Sequence, residues 1–266
     1  MREHPAYRYY VLALLTLTLM FSVADRLVLS ILLQDIKRDF ALSDSQLGLL
    51  AGFAFTLFYV IAGFPMARLA DRANRKSIVA AALGFWSLMT ALSGAAVGFW
   101  SLFLARIGVG MGEGGSGPSS QSLLADYFRP KELPRAMGFL TLGSTIGTAI
   151  GLMAGGLFAS LYGWRMSFIL LGIPGMLLGL LLFATVREPQ RGRYSPGGTD
   201  SATQRPLGAT VRSLLANRAY LGLILGYAVQ IMIGYAIAIW MAPIMLRSFA
   251  LTTREVGFYL GLAFVL

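Results

Sequence analysis

Four charged residues lie inside otherwise apolar sequence: Asp25, Arg26, Arg106 and Glu113. Arg106 and Glu113 belong to a glycine-rich stretch, Leu104 to Pro118, in the middle of a hydrophobic run over 99–127. That run is long enough to span a bilayer. A charge near the bilayer centre costs about 2.5–3.5 kcal/mol on insertion scales, so it faces protein or a water-filled cavity and needs a partner. The spacing of Arg106 and Glu113 is close to two helical turns, which puts both on nearly one side, about 10 Å apart along the axis. Counted by helical rise from the outer ends of their segments, Asp25 and Arg106 fall at about 12 and 10.5 Å, and Glu113 at about 21 Å. These depths predict an Asp25–Arg106 pair across two helices. They leave Glu113 unpaired near mid-membrane, where a carboxyl can carry a proton. Arg26 projects about 100° away from Asp25 and needs a second partner or a cavity.

The elements that must position these residues follow from composition. Of the 266 residues, 56% are hydrophobic and 13% charged, against about 25% charged in soluble domains. Several apolar runs exceed the ~18 residues that cross a bilayer as a helix, and the ten-residue alternation of a β-barrel is not visible. The expected fold class is an all-α polytopic membrane protein. No cleavage pattern follows the first apolar run, so no removable signal peptide is expected. The chain has no cysteine, hence no disulfide framework or thiol chemistry. His4 lies in a polar tail. No metal-ligand cluster, nucleophile–base pair or phosphate loop is present in the sequence, so neither an enzyme nor a cofactor is expected. The net charge of +10 is unevenly placed: segment ends on the side of the N-terminus carry +9, the opposite ends +1. This is the positive-inside asymmetry, not a nucleic-acid patch, and it predicts a cytoplasmic N-terminus in an inner (cell) membrane.

Spanning segments are expected at about 9–33, 45–69, 77–97, 99–127, 135–162, 164–186 and 219–246, with an eighth starting near 254. Residues 1–186 then form a six-helix bundle, and 187–218, rich in Arg, Gly, Ser, Thr and Pro, a cytoplasmic linker. Residues 219–266 hold a seventh helix and an incomplete eighth. This describes part of a two-bundle transporter whose substrate site lies between the bundles near mid-membrane. Gly143, Gly147, Gly151 and Gly155 recur every four residues, a smooth stripe for close helix packing. In the seventh segment, Tyr227, Gln230 and Gly234 share one face.

Residues 67–76 read A-R-L-A-D-R-A-N-R-K. They resemble the signature of the loop between helices 2 and 3 of the major facilitator superfamily. Asp71, Arg72, Arg75 and Lys76 match, and Ala67 and Asn74 stand where that signature has glycine. Asn74 tolerates the left-handed conformation the second glycine would supply. Arg106-x-x-x-Gly110-x-Gly112-Glu113 resembles the superfamily's helix 4 motif, and Gly163-Trp164-Arg165 the start of its helix 6. With the Asp25-Arg26 pair and Phe85-Trp86-Ser87, the set looks most like Spinster-type lysolipid and sphingolipid transporters. Gly114 leans toward anion–cation symporters for sugar acids.

The resemblance implies a secondary active transporter working by alternating access. It implies a proton and an amphipathic, lipid-like or organic-anion small molecule as partners, besides the bilayer. The substrate and proton residues would be Asp25, Arg26, Arg106, Glu113, Tyr227 and Gln230, with Asp71, Arg72, Arg75 and Lys76 as the conformational gate. The alternative is a C-terminally truncated membrane fragment that does not transport.

Overall fold

The computed structural model describes residues 5–194, 207–249 and 251–264, and every regular element among them is helical. Six of its helical stretches are long and apolar enough to cross a membrane. The chain is an all-α, multi-pass membrane protein.

Helix α1 (Pro5–Phe40) continues well past the end of its apolar run and finishes on Lys37 and Arg38, cations that suit a helix C-terminus. Helix α2 (Asp44–Gly48) starts on a capping box between Ser43 and Gln46. It passes through a π-helical turn, Leu49–Phe53, into α3 (Ala54–Arg72). Helix α4 (Arg75–Gly94) is capped by Asn74, whose side chain accepts from the Ser77 amide. Asn74 is extended, at φ −70°, so it replaces the signature glycine as a helix cap and not as a left-handed residue.

The run expected as one helix over 99–127 is two: α5 (Phe99–Glu113) and α6 (Ser116–Tyr127). Gly114 and Gly115 are weak helix formers, and Pro118 has no amide to continue the ladder. The break also serves packing, since a Cβ at Gly114 would lie 2.6 Å from the Tyr59 carbonyl oxygen.

Helix α7 (Leu133–Tyr162) ends at Gly163, whose φ of +83° favours glycine, and α8 (Trp164–Thr185) follows directly. Trp164, 7% exposed, is buried and donates to Asp39 at 3.2 Å. Within the stretch read as linker lies α9 (Leu207–Ala216). Then come α10 (Arg218–Ser248), capped by Asn217, and α11 (Thr253–Ala263), which opens on a Thr252–Glu255 capping box.

The glycine stripe of α7 packs on the backbone of α1. Cβ atoms at Gly143, Gly147 and Gly151 would come within 2.5, 2.4 and 2.7 Å of the carbonyl oxygens of Thr16, Met20 and Ala24. Two apolar clusters form the core. One holds Val11–Leu15 of α1 with Val79, Leu83, Val109 and Leu123. The other holds Leu27–Ile36 with Leu47, Leu102 and Phe168. Between the α1 portions of the two clusters lie the buried polar side chains Thr18, Ser22 and Asp25.

Candidate functional site

Arg26 donates from Nε to Glu113 Oε2 at 2.8 Å, and its Nη2 pairs with the same oxygen. Ser22 Oγ, one turn earlier on α1, donates to Glu113 Oε2 at 2.6 Å. The Glu113 side chain is fully buried and that of Arg26 is 18% exposed. Arg26 Nη1 reaches across to donate to Tyr235 Oη on α10 at 2.7 Å. Asp25 Oδ2 accepts from Thr90 Oγ1 of α4 at 3.0 Å.

Arg106 is 1% exposed, yet its Nε and Nη1 have no hydrogen-bond partner among the described residues. The same holds for Asp25 Oδ1 and Glu113 Oε1. The centroid of the Phe55 ring lies 5.8 Å from the Arg106 Cζ.

The expected Asp25–Arg106 ion pair is therefore not formed, and Glu113 is not unpaired. The reason is length. The sequence places the outer end of the first helix at Leu33, where hydropathy falls, but α1 runs to Phe40. Those extra residues add about 10 Å by helical rise, so Arg26 lies about 21 Å from the end of α1 and Glu113 about 21 Å from the start of α5. Arg26 is thus level with Glu113, and its turn of about 100° from Asp25 brings it to face that carboxylate.

A cavity of about 400 Å³ opens beside this group. Arg26, Arg106, Tyr227 and Gln230 all line it, together with Phe55, Ser144 and Thr148. The structure thus brings four of the six expected substrate-site residues to one cavity, with Asp25 and Glu113 buried beside it. Ser22, Phe55 and Thr90 are additions, and Tyr235, an aromatic the seventh segment offers in sequence, joins them through its bond to Arg26. Only the helical register, unknown from sequence, could have placed them.

Beyond the Arg26–Tyr235 bond, helix α10 is tied to the bundle through its second half. Ser30 Oγ donates to the carbonyls of Ala238 and Ile239 at 3.2 and 2.6 Å, and Arg247 donates to Asp44 at 2.6 Å. From Arg218 to Ala236 most of α10 is exposed. The cavity therefore opens toward the end at which α1 and α10 both begin.

At that end lies the expected gate loop. Arg75, 2% exposed, donates to Asp126 Oδ2 of α6 at 2.6 Å and to Glu188 Oε1 at 2.7 Å. The Lys76 amide donates to Glu188 Oε2 at 2.9 Å, and Lys76 Nζ to the Phe183 carbonyl at 3.1 Å. Arg191 Nη2 donates to the Ala70 carbonyl at 2.7 Å, capping the end of α3. The first residues after α8, read from sequence as linker, are thus tied to the bundle. Asp71 and Arg72 are exposed. Among the described residues no group of His, Cys, Asp and Glu could hold a metal.

Residues 14–266 match the family model described as Major Facilitator Superfamily. An "MFS-type efflux pump" of Mycolicibacterium smegmatis is 30% identical over 98% of this chain and 60% of its own. The "Probable L-galactonate transporter" of Escherichia coli is 29% identical over 91% of this chain and 55% of its own. A crystal structure of a bacterial homologue of the human lysosomal transporter Spinster, inward-facing and unoccupied, superimposes with a TM-score of 0.87 at 33% identity. It is covered by this chain over 60% of its length, and covers 97% of this chain. The chain thus spans between half and two thirds of these relatives.

Proposed function

This chain belongs to the Major Facilitator Superfamily, and from that premise we propose that it acts in a proton-coupled transporter of the inner membrane. Its N-terminus is in the cytoplasm, by the charge asymmetry of its segment ends. The cavity then opens inward, the state named for the similar Spinster-type structure. The cargo is an amphipathic or organic anion. Residues 1–186 move as one bundle, residues 219–266 belong to the other, and Asp71, Arg72, Arg75 and Lys76 form the gate between states.

One observation carries this reading: Arg106 lines a cavity whose walls are largely apolar, and two of its N–H groups are buried there without a partner. A buried guanidinium with unmade bonds is costly, and an anionic head group would satisfy it in the bidentate manner that suits arginine. Beside it, Glu113 holds Arg26, and Arg26 reaches Tyr235 of the second bundle. A proton on Glu113 weakens its hold on Arg26 and frees that guanidinium, which couples proton binding to the contact between bundles.

The similarities name both an efflux pump and a sugar-acid transporter. The apolar lining of the cavity favours the amphipathic cargo. The test is uptake into proteoliposomes of the full-length protein, screening lysophospholipids against sugar acids with and without a pH gradient. Glu113→Gln is expected to abolish gradient-driven accumulation while leaving exchange. Accumulation by Glu113→Gln at the parent rate and pH dependence would overturn the proton assignment.

A further inference from the structure

The second spanning stretch is not a regular helix. Between α2 and α3 it makes one π-helical turn, Leu49–Phe53. Each α-helical residue advances about 100°, so a wider turn sets every later side chain back by about one position. The side chain this re-aims into the charged site is Phe55.

Its ring centroid lies 4.7 Å from Arg26 Cζ and 5.8 Å from Arg106 Cζ. The ring of Tyr59, one turn on, stacks on it with centroids 5.6 Å apart. Phe55 is 6% exposed. Its backbone is held as well, because Gly110 of α5 packs so closely that a Cβ there would come 2.4 Å from the Phe55 carbonyl oxygen.

The unmade bonds around this ring need a cause. Arg106 Nε and Nη1 lack acceptors, while Asp25 Oδ1 and Glu113 Oε1 lack donors, all in the same buried group. Left to electrostatics alone, a guanidinium turns toward a free carboxylate oxygen. An aromatic face offers a cation an attraction that uses none of its N–H donors.

We propose that Phe55 is a positioning residue that holds Arg106 as a free cation, keeping its N–H groups for the cargo's anionic group instead of for Asp25 or Glu113. This rests on the reading of Arg106 as the anion seat. A leucine here keeps the bulk and loses the attraction, so Arg106 would close onto one of the two carboxylates.

The chain has no cysteine, so a single one placed in the cavity reports its local potential. In a Thr148→Cys background, the ratio of labelling rates by an anionic and a cationic methanethiosulfonate of similar size reads the charge beside Arg106. The full-length protein is expected to favour the anionic reagent, and Arg106→Gln to remove that preference. Phe55→Leu is expected to lower the ratio about threefold, the scale of one cation–π contact. Stepwise fluorination of a phenylalanine at position 55 keeps the shape and drains the ring's charge, so it should lower the ratio in steps even if the leucine variant fails to fold. A ratio unchanged by fluorination, with Arg106→Gln still effective, overturns the role of Phe55 alone. A ratio indifferent to Arg106→Gln overturns the anion seat with it.

Discussion

Removing either partner of the Arg26–Glu113 pair should have unequal consequences, because the two are unequally buried. The Glu113 side chain has no exposure and that of Arg26 has 18%. Arg26→Gln leaves Glu113 with the Ser22 hydroxyl as hydrogen-bond donor. Stranding one charge of a buried pair costs about 3–5 kcal/mol. Glu113→Gln leaves Arg26 with Ser22, with Tyr235 and with the rings of Phe55 and Tyr59. The amide oxygen still accepts, so the loss is that of a charge-assisted bond reduced to a neutral one, about 1–2 kcal/mol. The double variant should cost less than the sum of the singles, with a coupling of about 2 kcal/mol. Denaturation in mixed micelles titrated with sodium dodecyl sulfate, followed by far-UV circular dichroism, measures all four corners of the cycle. Additivity within about 0.5 kcal/mol, or a larger loss for Glu113→Gln than for Arg26→Gln, would refute the pairing.

Three further outcomes follow from the packing and the ends of the helices. Gly147→Ala should destabilise the bundle by about 1–3 kcal/mol in the same assay, since its Cβ would meet the Met20 carbonyl at 2.4 Å; Gly138→Ala, with nothing within 4 Å, should cost nothing. Asp44 accepts from both Arg247 and Lys37 at 2.6 Å, tying the end of α10 to the ends of α1 and α2 on the side opposite the cavity's mouth. Asp44→Asn should therefore lengthen spin-label distances across that end, and unchanged distances would remove it from the closure. Hydrogen bonding from Arg8 holds the Glu132 carboxyl, which lies outside the spans, below the usual carboxylate range. Its small stabilising share is thus present above the ordinary carboxylate pKa and fades as pH falls through the lowered one; Arg8→Gln should flatten that part of the acid profile of thermal unfolding.

Hydropathy reads the bilayer, not the helix, and that distinction explains what was legible in the chain. The spans, the family signature and the glycine stripe are written in apolar runs and spacing, and they reappear as α1 to α8 and α10 with Gly143, Gly147 and Gly151 on the α1 backbone. The partner of Glu113 was hidden because residues 34–40 are polar and look like loop, while α1 continues through them. A helix leaving the membrane loses no hydrogen bonds by continuing into water, and Lys37 and Arg38 suit its C-terminus. The break at Gly114 was written in the sequence, in two glycines before Pro118, but an unbroken apolar run masked it. Ser22, Phe55 and Thr90 carried no signal, since hydroxyls and rings in apolar helices gain meaning only when rotation is known. The π turn that sets the rotation of Phe55 has no signature in residue type.

What the site leaves undone is as informative as what it joins. Two guanidiniums and two carboxylates are enough for two ion pairs, and a satisfied network of that kind would be rigid. Here only one pair forms, and each remaining charge keeps an unpartnered atom turned to its neighbours. Each such atom carries a desolvation cost of about 1–3 kcal/mol. On the proposed reading the Phe55 ring, its backbone packed against Gly110, holds Arg106 away from the two carboxylates, while Thr90 holds Asp25. The fold thus maintains a site whose charges are not all paired, and on the proposed reading an anion and a proton from outside complete it. On the proposed reading this incompleteness drives coupling. The anion satisfies Arg106, the proton loosens Glu113 from Arg26, and Arg26 carries the change to Tyr235 on α10, where the second bundle begins.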